Sequence, residues 1–206
     1  AGIGLISRTP LNDRASMVVR MMQQSVVRMN ELVANVLDFA RGRLAGGIEL
    51  RRDGANRLEP VLRHVVNELR IAWPGRVLVE QIGLHQPVHC DCHRVAQLLS
   101  NLLSNALTYG PPDHPIRIAA TTADGWFTLS VCNAGPAIPT DVLADLFEPF
   151  QRGGHKGNRR GLGLGLHIAS EIAHAHGGEL TVTSTPAQTC FTFGMPTQPA
   201  GQPHPS

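Results

Sequence analysis

The sequence predicts an α+β fold, a two-layer α/β sandwich with helices on one face of a mixed sheet, preceded by one long helix. Three observations predict it. A helical repeat of apolar residues occupies the first part of the chain, and short alternating segments then interleave with shorter helical repeats. With 42% hydrophobic and 17% charged side chains, 206 residues can form a full domain core. We therefore expect a helical region at 1–47, an α/β domain at 48–196 and a disordered tail at 197–206.

The first helix is predicted from about Asp13 to Arg43, where apolar residues recur at alternating four- and three-residue steps. Such a seam, widened by further apolar neighbours, needs partner helices, because a single amphipathic helix is marginal in water. We therefore expect a homodimer through residues 13–45, with a core helix packed on its own domain as the alternative. The seam residues are Met22, Val26, Met29, Val33, Val36 and Ala40.

The α/β region follows a glycine-rich stop at 42–47. Asp91 stands where the N-cap of a helix is expected, and Gly177 and Gly178 close the last helix. The turn at 123–126 predicts a hairpin between two strands of alternating pattern. The predicted helices span 57–72, 92–109 and 164–176, and the predicted strands lie near 76–81, 88–90, 116–118, 127–131, 179–184 and 189–195.

The overall charge and the cysteines exclude several classes of protein. A formal net charge of +2 is too small for nucleic-acid binding through bulk charge, and no apolar run reaches the length of a membrane span. We therefore expect no nucleic-acid partner and no membrane contact. Four unevenly spaced cysteines predict free thiols in a reducing compartment, and so a cytoplasmic location.

A stripe of uncharged polar residues marks the helix at 92–109. Its members, Gln97, Asn101, Asn105 and Thr108, follow one another at steps of four, four and three residues, beside many leucines. A solvated helix face usually carries Lys and Glu, so these amides favour a partly buried binding site. A polar outer face without a ligand is the alternative.

Three glycines, Gly161, Gly163 and Gly165, precede the next helix in the segment GLGLGL. Backbone amides there can approach a phosphate closely, at a helix N-terminus whose dipole favours negative charge. A tight packing corner is the alternative. The segment has neither the Rossmann nor the P-loop pattern.

Between these two features lie a turn, VCNAGPAIP at 131–139, an apolar anchor, LFEPF at 146–150, and the basic loop QRGGHKGNRR. Such a loop predicts a mobile cover whose Arg152, Lys156, Arg159 and Arg160 neutralise phosphates. A solvated basic loop without a ligand is the alternative.

The motifs QLLSNLLSNALTY, NAGPAIP, LFEPF, GLGLGL and TCFTF follow one another as do the asparagine, glycine and phenylalanine boxes of sensor histidine kinases, which this chain resembles over about 57–196. The superfamily also contains the gyrase, Hsp90 and mismatch-repair ATPases. VLDFARGRL is similar to the end of the second dimerisation helix of these kinases. The segment 133–139 resembles the variant glycine box of bacteriophytochrome-like kinases.

The resemblance implies ATP and Mg²⁺ as cofactors. Asn105 would bind Mg²⁺ through its side-chain oxygen, and Asn101 would stand where the related ATPases have a water-activating glutamate, so hydrolysis would be slow. Tyr109 would cover the adenine, and Asn133 would replace the usual aspartate that accepts the adenine amino hydrogen. The remaining cofactor-binding positions are Gly135, Ala137, Arg152, Lys156, Gly161, Gly163, Gly165 and Thr189.

Activity would consist of transfer of the ATP γ-phosphate to a histidine of the dimerisation helices, and then to the receiver domain of a response regulator. None of the ten histidines stands in the acceptor motif of the family, so we expect a chain that lacks the acceptor and does not phosphorylate itself. Ala137 replaces a box glycine, and Gln188 precedes Thr189 in place of another. A degenerate scaffold without useful ATP binding and a hydrolytic ATPase are the alternatives.

Overall fold

A computed structural model describes residues 48–51, 58–151 and 162–198, together with scattered positions between 15 and 39. The described positions between 15 and 39 are helical, as the apolar seam predicts. The elements that follow are α1 Leu58–Ala72, β1 Leu78–Gly83, α2 Cys92–Tyr109, β2 Ile116–Ala123, β3 Trp126–Ala134, α3 Thr140–Ala144, α4 Gly165–Ala175, β4 Glu179–Ser184 and β5 Gln188–Pro196.

The five strands form one mixed sheet in the order β1-β2-β3-β5-β4. β1 runs parallel to β2, and the other neighbouring pairs are antiparallel. Strands β3 and β5 pair along their whole length, so that Asn133 lies opposite Thr189 and Cys132 opposite Cys190. Because β3 and β5 are neighbours, the start of the segment NAGPAIP and the start of the segment TCFTF lie side by side.

One face of the sheet carries the core. Along β3 and β5 every second residue is buried, and the buried set includes Phe127, Leu129, Val131, Phe191 and Phe193. Helices α1, α2 and α4 bury their apolar stripes in the same cluster. This arrangement follows from the period-2 pattern of the strands and the 3.6-residue pattern of the helices. The predicted α+β sandwich is confirmed.

Helix α2 begins and ends where the sequence predicts. Asp91 is its N-cap, and its carboxylate accepts hydrogen bonds from the backbone N–H of Arg94 at 3.1 Å and of Arg51 at 2.8 Å. At the other end the N–H of Gly110 donates to Ala106 O at 2.9 Å. The caps satisfy backbone groups that a helix leaves unpaired, and they fix the axial position of the polar stripe.

Two predicted boundaries are wrong, and one helix was not predicted. The strand expected at 88–90 is reduced to a single bridging residue, Cys90, whose neighbour His89 donates its N–H to Thr197 O at 2.8 Å. The tail does not begin at 197, since Thr197 is buried and donates its N–H to Gly125 O. The short helix α3 was not predicted, because five residues carry too little periodicity.

The prediction of four free thiols is also wrong. Cys132 and Cys190 form a disulfide, with 4.1 Å between their Cα atoms, while Cys90 and Cys92 are buried and not disulfide-bonded, with 3.9 Å between their sulfur atoms. The two bonded cysteines are 58 residues apart, and only the register of β3 on β5 places them opposite each other. Cysteine spacing in the sequence therefore gave no signal of the pair. Among the described residues, no helix combines the length and the apolar character needed to cross a membrane.

Candidate functional site

The polar stripe of α2 lies at the border of the core. Asn101 is buried with 6% of its surface exposed, whereas Gln97, Asn105 and Thr108 are half-buried. The leucines that flank them are fully buried. Because buried amides need polar partners, the stripe is suited to face a polar ligand or a polar loop. The structure thus brings the predicted stripe to a partly enclosed surface, as its composition suggests.

The start of α4 lies against this stripe. A Cβ added at Gly165, the first residue of α4, would sit 3.5 Å from Asn101 Oδ1 and 3.7 Å from its Cγ. The N-terminus of an 11-residue helix therefore opens beside a buried amide, with no side chain between them. Free N–H groups and a positive dipole end are the features that bind phosphate oxygens. This juxtaposition of two predicted motifs is the central geometry of the candidate site.

Gly163 holds the approach to α4 in a conformation that requires glycine. Its φ is +70°, and a Cβ there would lie 2.5 Å from Gln151 O and 2.9 Å from Phe150 C. Phe150 donates its N–H to Gly163 O at 3.0 Å, so the two ends of the basic loop meet at this point. The predicted residues Arg152, Lys156 and Gly161 belong to the part of the chain outside the described residues.

The opposite end of the site lies on the β3–β5 pair. Asn133 is buried with 8% exposed, and its Nδ2 donates to Ala134 O at 2.8 Å. This bond fixes the orientation of the amide, so that Oδ1 keeps its acceptor capacity for a ligand. The partner across the strands, Thr189, is buried with 4% exposed and shares a hydrogen bond of 2.8 Å with Ser184 Oγ.

Ser184 links this strand pair to the turn after β3. Its hydroxyl oxygen accepts a hydrogen bond from Ile138 N at 2.9 Å. Thr189, Ser184 and Ile138 therefore form a continuous chain that holds the predicted glycine-box turn. Within that turn Gly135 has a φ of +149°, and Ala137 is exposed. Tyr109, at the end of α2, is also exposed, with 49% of its surface accessible, and is free to cover a flat ring.

Sequence reasoning missed Arg76, which lies beside Asn133. Arg76 Nη2 and Asn133 Cβ both lie within 3.2 Å of the position that a Gly110 Cβ would occupy. Arg76 Nη1 donates to Gly110 O at 3.0 Å, but Nε and Nη2 are buried and find no partner among the described residues. Burial lowers the pKa of the Arg76 guanidinium, and the negative charge of Asp113 partly offsets this by raising it. A lone arginine between a turn and a strand carries no motif that could have revealed it.

The apolar anchor between α3 and the loop is only partly buried. The ring of Phe147 packs edge-on against Phe191, with 6.4 Å between centroids, and its carbonyl oxygen lies 3.0 Å from His167 Nδ1. Phe150 is 55% exposed, and its ring packs edge-on against Phe39 of the N-terminal helical segment, with 5.2 Å between the ring centroids. Phe39 also lies 5.9 Å from the His167 ring. The anchor therefore joins the base of the loop to the N-terminal segment.

The donors present fit a magnesium-bound nucleotide in kind. Asn105 would supply one amide oxygen, which agrees with the small number of protein ligands that Mg²⁺ usually takes. A Cβ at Gly165 would lie in ordinary van der Waals contact with Asn101, so the N–H groups at the start of α4, which suit phosphate oxygens, lie close to the polar stripe. In the described part of the chain, no cluster of three or more His, Cys, Asp and Glu side chains could hold a metal by itself.

The fold and this arrangement define the class. A mixed five-stranded sheet covered on one face by helices is the α+β fold of histidine kinase catalytic domains. The chain belongs to the family of histidine kinase-, DNA gyrase B- and HSP90-like ATPases, whose family model matches residues 90–199. Within that family it is a sensor histidine kinase catalytic domain, as the resemblance of its motifs predicts.

Individual relatives agree with this assignment. The bacteriophytochrome of Pseudomonas aeruginosa is 35% identical over 176 residues, which cover 84% of this chain and 24% of that protein. The histidine kinase AdeS of Acinetobacter baumannii superposes with a TM-score of 0.67 at 22% identity, covering 95% of this chain and 91% of that one. Full-length ShkA, solved in complex with AMPPNP, gives 0.66 at 28% identity, covering 94% of this chain and 41% of that one.

The matched region is only part of these signalling proteins. The chain spans about a quarter to a third of the length of the bacteriophytochrome and of the histidine-protein kinase AfsQ2 of Streptomyces coelicolor.

Proposed function

We propose that this chain binds ATP with Mg²⁺ and transfers the γ-phosphate to a histidine nitrogen, for relay to an aspartate of a response regulator. The observation that carries the proposal is the placement of Gly165 at the start of α4 against the buried amide of Asn101. Phosphoryl transfer needs positioning and charge neutralisation more than covalent chemistry, and this geometry offers both.

Each end of the site has a role. The N–H groups at the start of α4 bind phosphate oxygens, and the basic loop with Arg152 and Lys156 adds positive charge. Asn105 would hold Mg²⁺ in part, and the ion would supply neutralisation of phosphate charge. Asn133 Oδ1 accepts a hydrogen bond from the adenine amino group, and Tyr109 covers the face of the adenine ring. The similar protein ShkA was solved in complex with AMPPNP, which supports an adenine nucleotide as the ligand of this site.

The histidine that accepts the phosphate would lie on dimerisation helices, although none of the ten histidines of this chain stands in the acceptor motif. The described positions between 15 and 39 are helical, and most of their large apolar side chains are exposed in the single chain. A face of this kind is covered when two chains associate, which supports a homodimer through residues 13–45. The exposed residues are Met17, Val18, Met21, Met22, Val26, Met29, Val33, Val36 and Leu37. We propose a cytoplasmic location for this chain, because ATP and the receiver domains of response regulators are present there.

The test is titration with a fluorescent ATP analogue, with and without Mg²⁺, of the chain and of Asn105→Ala. We expect Mg²⁺-dependent binding by the chain and its loss in the variant, because one oxygen ligand disappears. Ser104→Ala, one residue away on the same helix, is the matched control. Equal Mg²⁺-dependent affinity in Asn105→Ala contradicts the metal assignment, and no binding at millimolar nucleotide favours a noncatalytic scaffold.

A further inference from the structure

The disulfide between Cys132 and Cys190 lies on the face of the sheet that the helices do not cover. In β3 the two neighbours of Cys132, Val131 and Asn133, are buried, and Cys132 between them points the other way. Cys190 has the same relation to its buried neighbours in β5, and both cysteines are only partly buried. A small reagent can therefore reach the two sulfur atoms without unfolding the core.

The pair occupies one rung of the ladder, next to the base end of the nucleotide site. The 4.1 Å between the two Cα atoms is the close spacing of a non-hydrogen-bonded antiparallel pair. The adjacent rung is Asn133 opposite Thr189. Thr189 is hydrogen-bonded to Ser184, which accepts from the N–H of Ile138. The disulfide therefore lies one residue from the hydrogen bonds that hold the glycine-box turn.

A cation lies beside this rung. Arg117 on β2 is the register partner of Cys132, and its side chain donates to Gln188 Oε1 on β5. The guanidinium therefore crosses the open face over β3 and ends two residues from Cys190. Such a charge favours the thiolate, the reactive form of a reduced cysteine. Cys90 and Cys92, by contrast, are at most 5% exposed inside the core, so a reagent cannot reach them without opening it.

We propose that Cys132 and Cys190 form a thiol–disulfide modification site that reacts with low-molecular-weight disulfides of the glutathione type and thereby tightens the nucleotide site. The effect on nucleotide binding rests on the function proposed above. The modification itself and its effect on the β3–β5 ladder do not.

The exchange is balanced in two steps. The Cys132 thiolate attacks one sulfur of glutathione disulfide, the S–S bond breaks, and one glutathione thiolate leaves. The Cys190 thiolate then attacks the Cys132 sulfur of the mixed disulfide and releases the second glutathione. Two protein thiols lose two protons and two electrons in total, and one glutathione disulfide becomes two glutathione thiols. An excess of reduced glutathione drives the same steps backwards.

Oxidation ties the strands and reduction releases them. The crosslink closes a 58-residue separation in sequence, which restricts the unfolded chain and limits local opening of the ladder. A site whose strands are already ordered loses less conformational entropy on binding. We therefore expect the oxidised chain to bind nucleotide about three- to tenfold more tightly than the reduced chain.

The first experiment needs no nucleotide. The whole chain is equilibrated in glutathione buffers of graded ratio, free thiols are alkylated, and the disulfide is located by peptide mass. We expect linked peptides containing residues 132 and 190, a melting temperature about 5 to 10 °C above that of the reduced chain, and slower hydrogen exchange at Asn133 and Ile138. The variant Cys132→Ser/Cys190→Ser loses all three effects.

Two further variants separate the contributions of position and charge. Arg117→Gln slows the formation of the bond without preventing it. Ser130→Cys/Thr192→Cys, in the background without Cys132 and Cys190, places a bond on the next equivalent rung, away from Asn133. It raises the melting temperature but leaves Ile138 exchange and nucleotide affinity near their reduced values.

The outcomes distinguish the two proposals. Failure to form the 132–190 bond in any glutathione ratio overturns the modification site. Formation of the bond with unchanged exchange at Asn133 and Ile138 overturns its effect on the site. If both redox forms show the exchange difference yet neither binds nucleotide, the modification stands and the kinase function fails.

Discussion

Gly165 lies directly against Asn101: a Cβ at position 165 would sit 3.5 Å from Asn101 Oδ1, at ordinary van der Waals distance. Two motifs separated by more than sixty residues of sequence therefore meet without an intervening side chain. The start of α4 therefore packs closely on the polar stripe of α2 at this point.

We predict opposite effects of Gly165→Ala on stability and on binding. Alanine favours a helix interior over glycine by about 1 kcal/mol, and at the first residue of α4 the gain is smaller, so the melting temperature rises by at most about 2 to 4 °C. The new methyl group would lie beside the N–H groups that we propose bind the phosphates, so nucleotide affinity falls about tenfold or more. Thermal melting and nucleotide titration of the same sample measure both. Unchanged affinity would show that the phosphates bind elsewhere.

Gly163→Ala is the matched comparison, and we predict a loss of stability. Its φ of +70° disfavours a side chain, and the added Cβ would lie 2.5 Å from Gln151 O. The cost is about 1 to 3 kcal/mol, seen as a lower melting temperature. Stability equal to that of the unmodified chain would mean that the loop base has another accessible conformation.

The sequence predicted this part of the site well and the other end poorly, for physical reasons. Local signals identified α2 and the glycine segment: apolar periodicity, an N-cap at Asp91 and glycines before a helix. Arg76 gave no such signal, because its proximity to Asn133 arises from packing of the turn before β1 on the end of α2. The Cys132–Cys190 bond depends on strand register, which spacing along the chain does not encode.

Asn133→Asp is predicted to improve nucleotide binding. A carboxylate at 133 would lose the bond that Asn133 Nδ2 donates to Ala134 O, but it would lie near Arg76, whose buried Nε and Nη2 have no partner among the described residues. It would also accept a charge-assisted hydrogen bond from the base. Such a bond is worth about 1 kcal/mol more than its neutral counterpart, or about fivefold in affinity. Titration with a fluorescent ATP analogue measures the change.

Arg76→Met isolates the contribution of the guanidinium. In the double variant with Asn133→Asp we expect the gain in affinity to shrink or vanish, since the aspartate is then buried without a cation. A gain of the same size with and without Arg76 would show that the two side chains do not interact.

Asn101→Glu is predicted to introduce ATP hydrolysis into a site that we expect to hydrolyse ATP only slowly. A glutamate here could accept a proton from water, which an amide cannot do, and general-base catalysis contributes about 10²- to 10⁴-fold. We expect phosphate release to rise at least tenfold. Asn101→Gln has the same size without the base and should show no increase. Equal rates in the two variants would place the water outside the reach of residue 101.

The stability of the fold should depend on pH through Glu59, in the first turn of α1. Its carboxylate accepts hydrogen bonds from Arg63 at 2.8 and 3.1 Å and from the N–H of Leu84 at 3.3 Å. The Arg63 bond, followed by the Leu84 bond, holds the pKa of Glu59 below its ordinary value of 4.5. The folded state thus favours the ionised form, and this contribution is complete above pH 4.5 and declines as the pH falls through the lowered value.

Glu59→Gln should therefore be less stable than the unmodified chain at neutral pH, and the difference should close on acidification below the lowered pKa of Glu59. Glutamine has one acceptor oxygen, which can still accept from Arg63, but its NH₂ group would take the place of Oε2 and cannot accept from Leu84 N. The variant therefore removes the charge and the Leu84 bond. Glu68→Gln, an exposed position on the same helix that lies 3.3 Å from His64, is the control for loss of a negative charge. Denaturant unfolding across this pH range compares the three proteins. A gap between Glu59→Gln and the unmodified chain that stays constant with pH would show that the ionisation of Glu59 does not stabilise the packing of α1 on the end of β1.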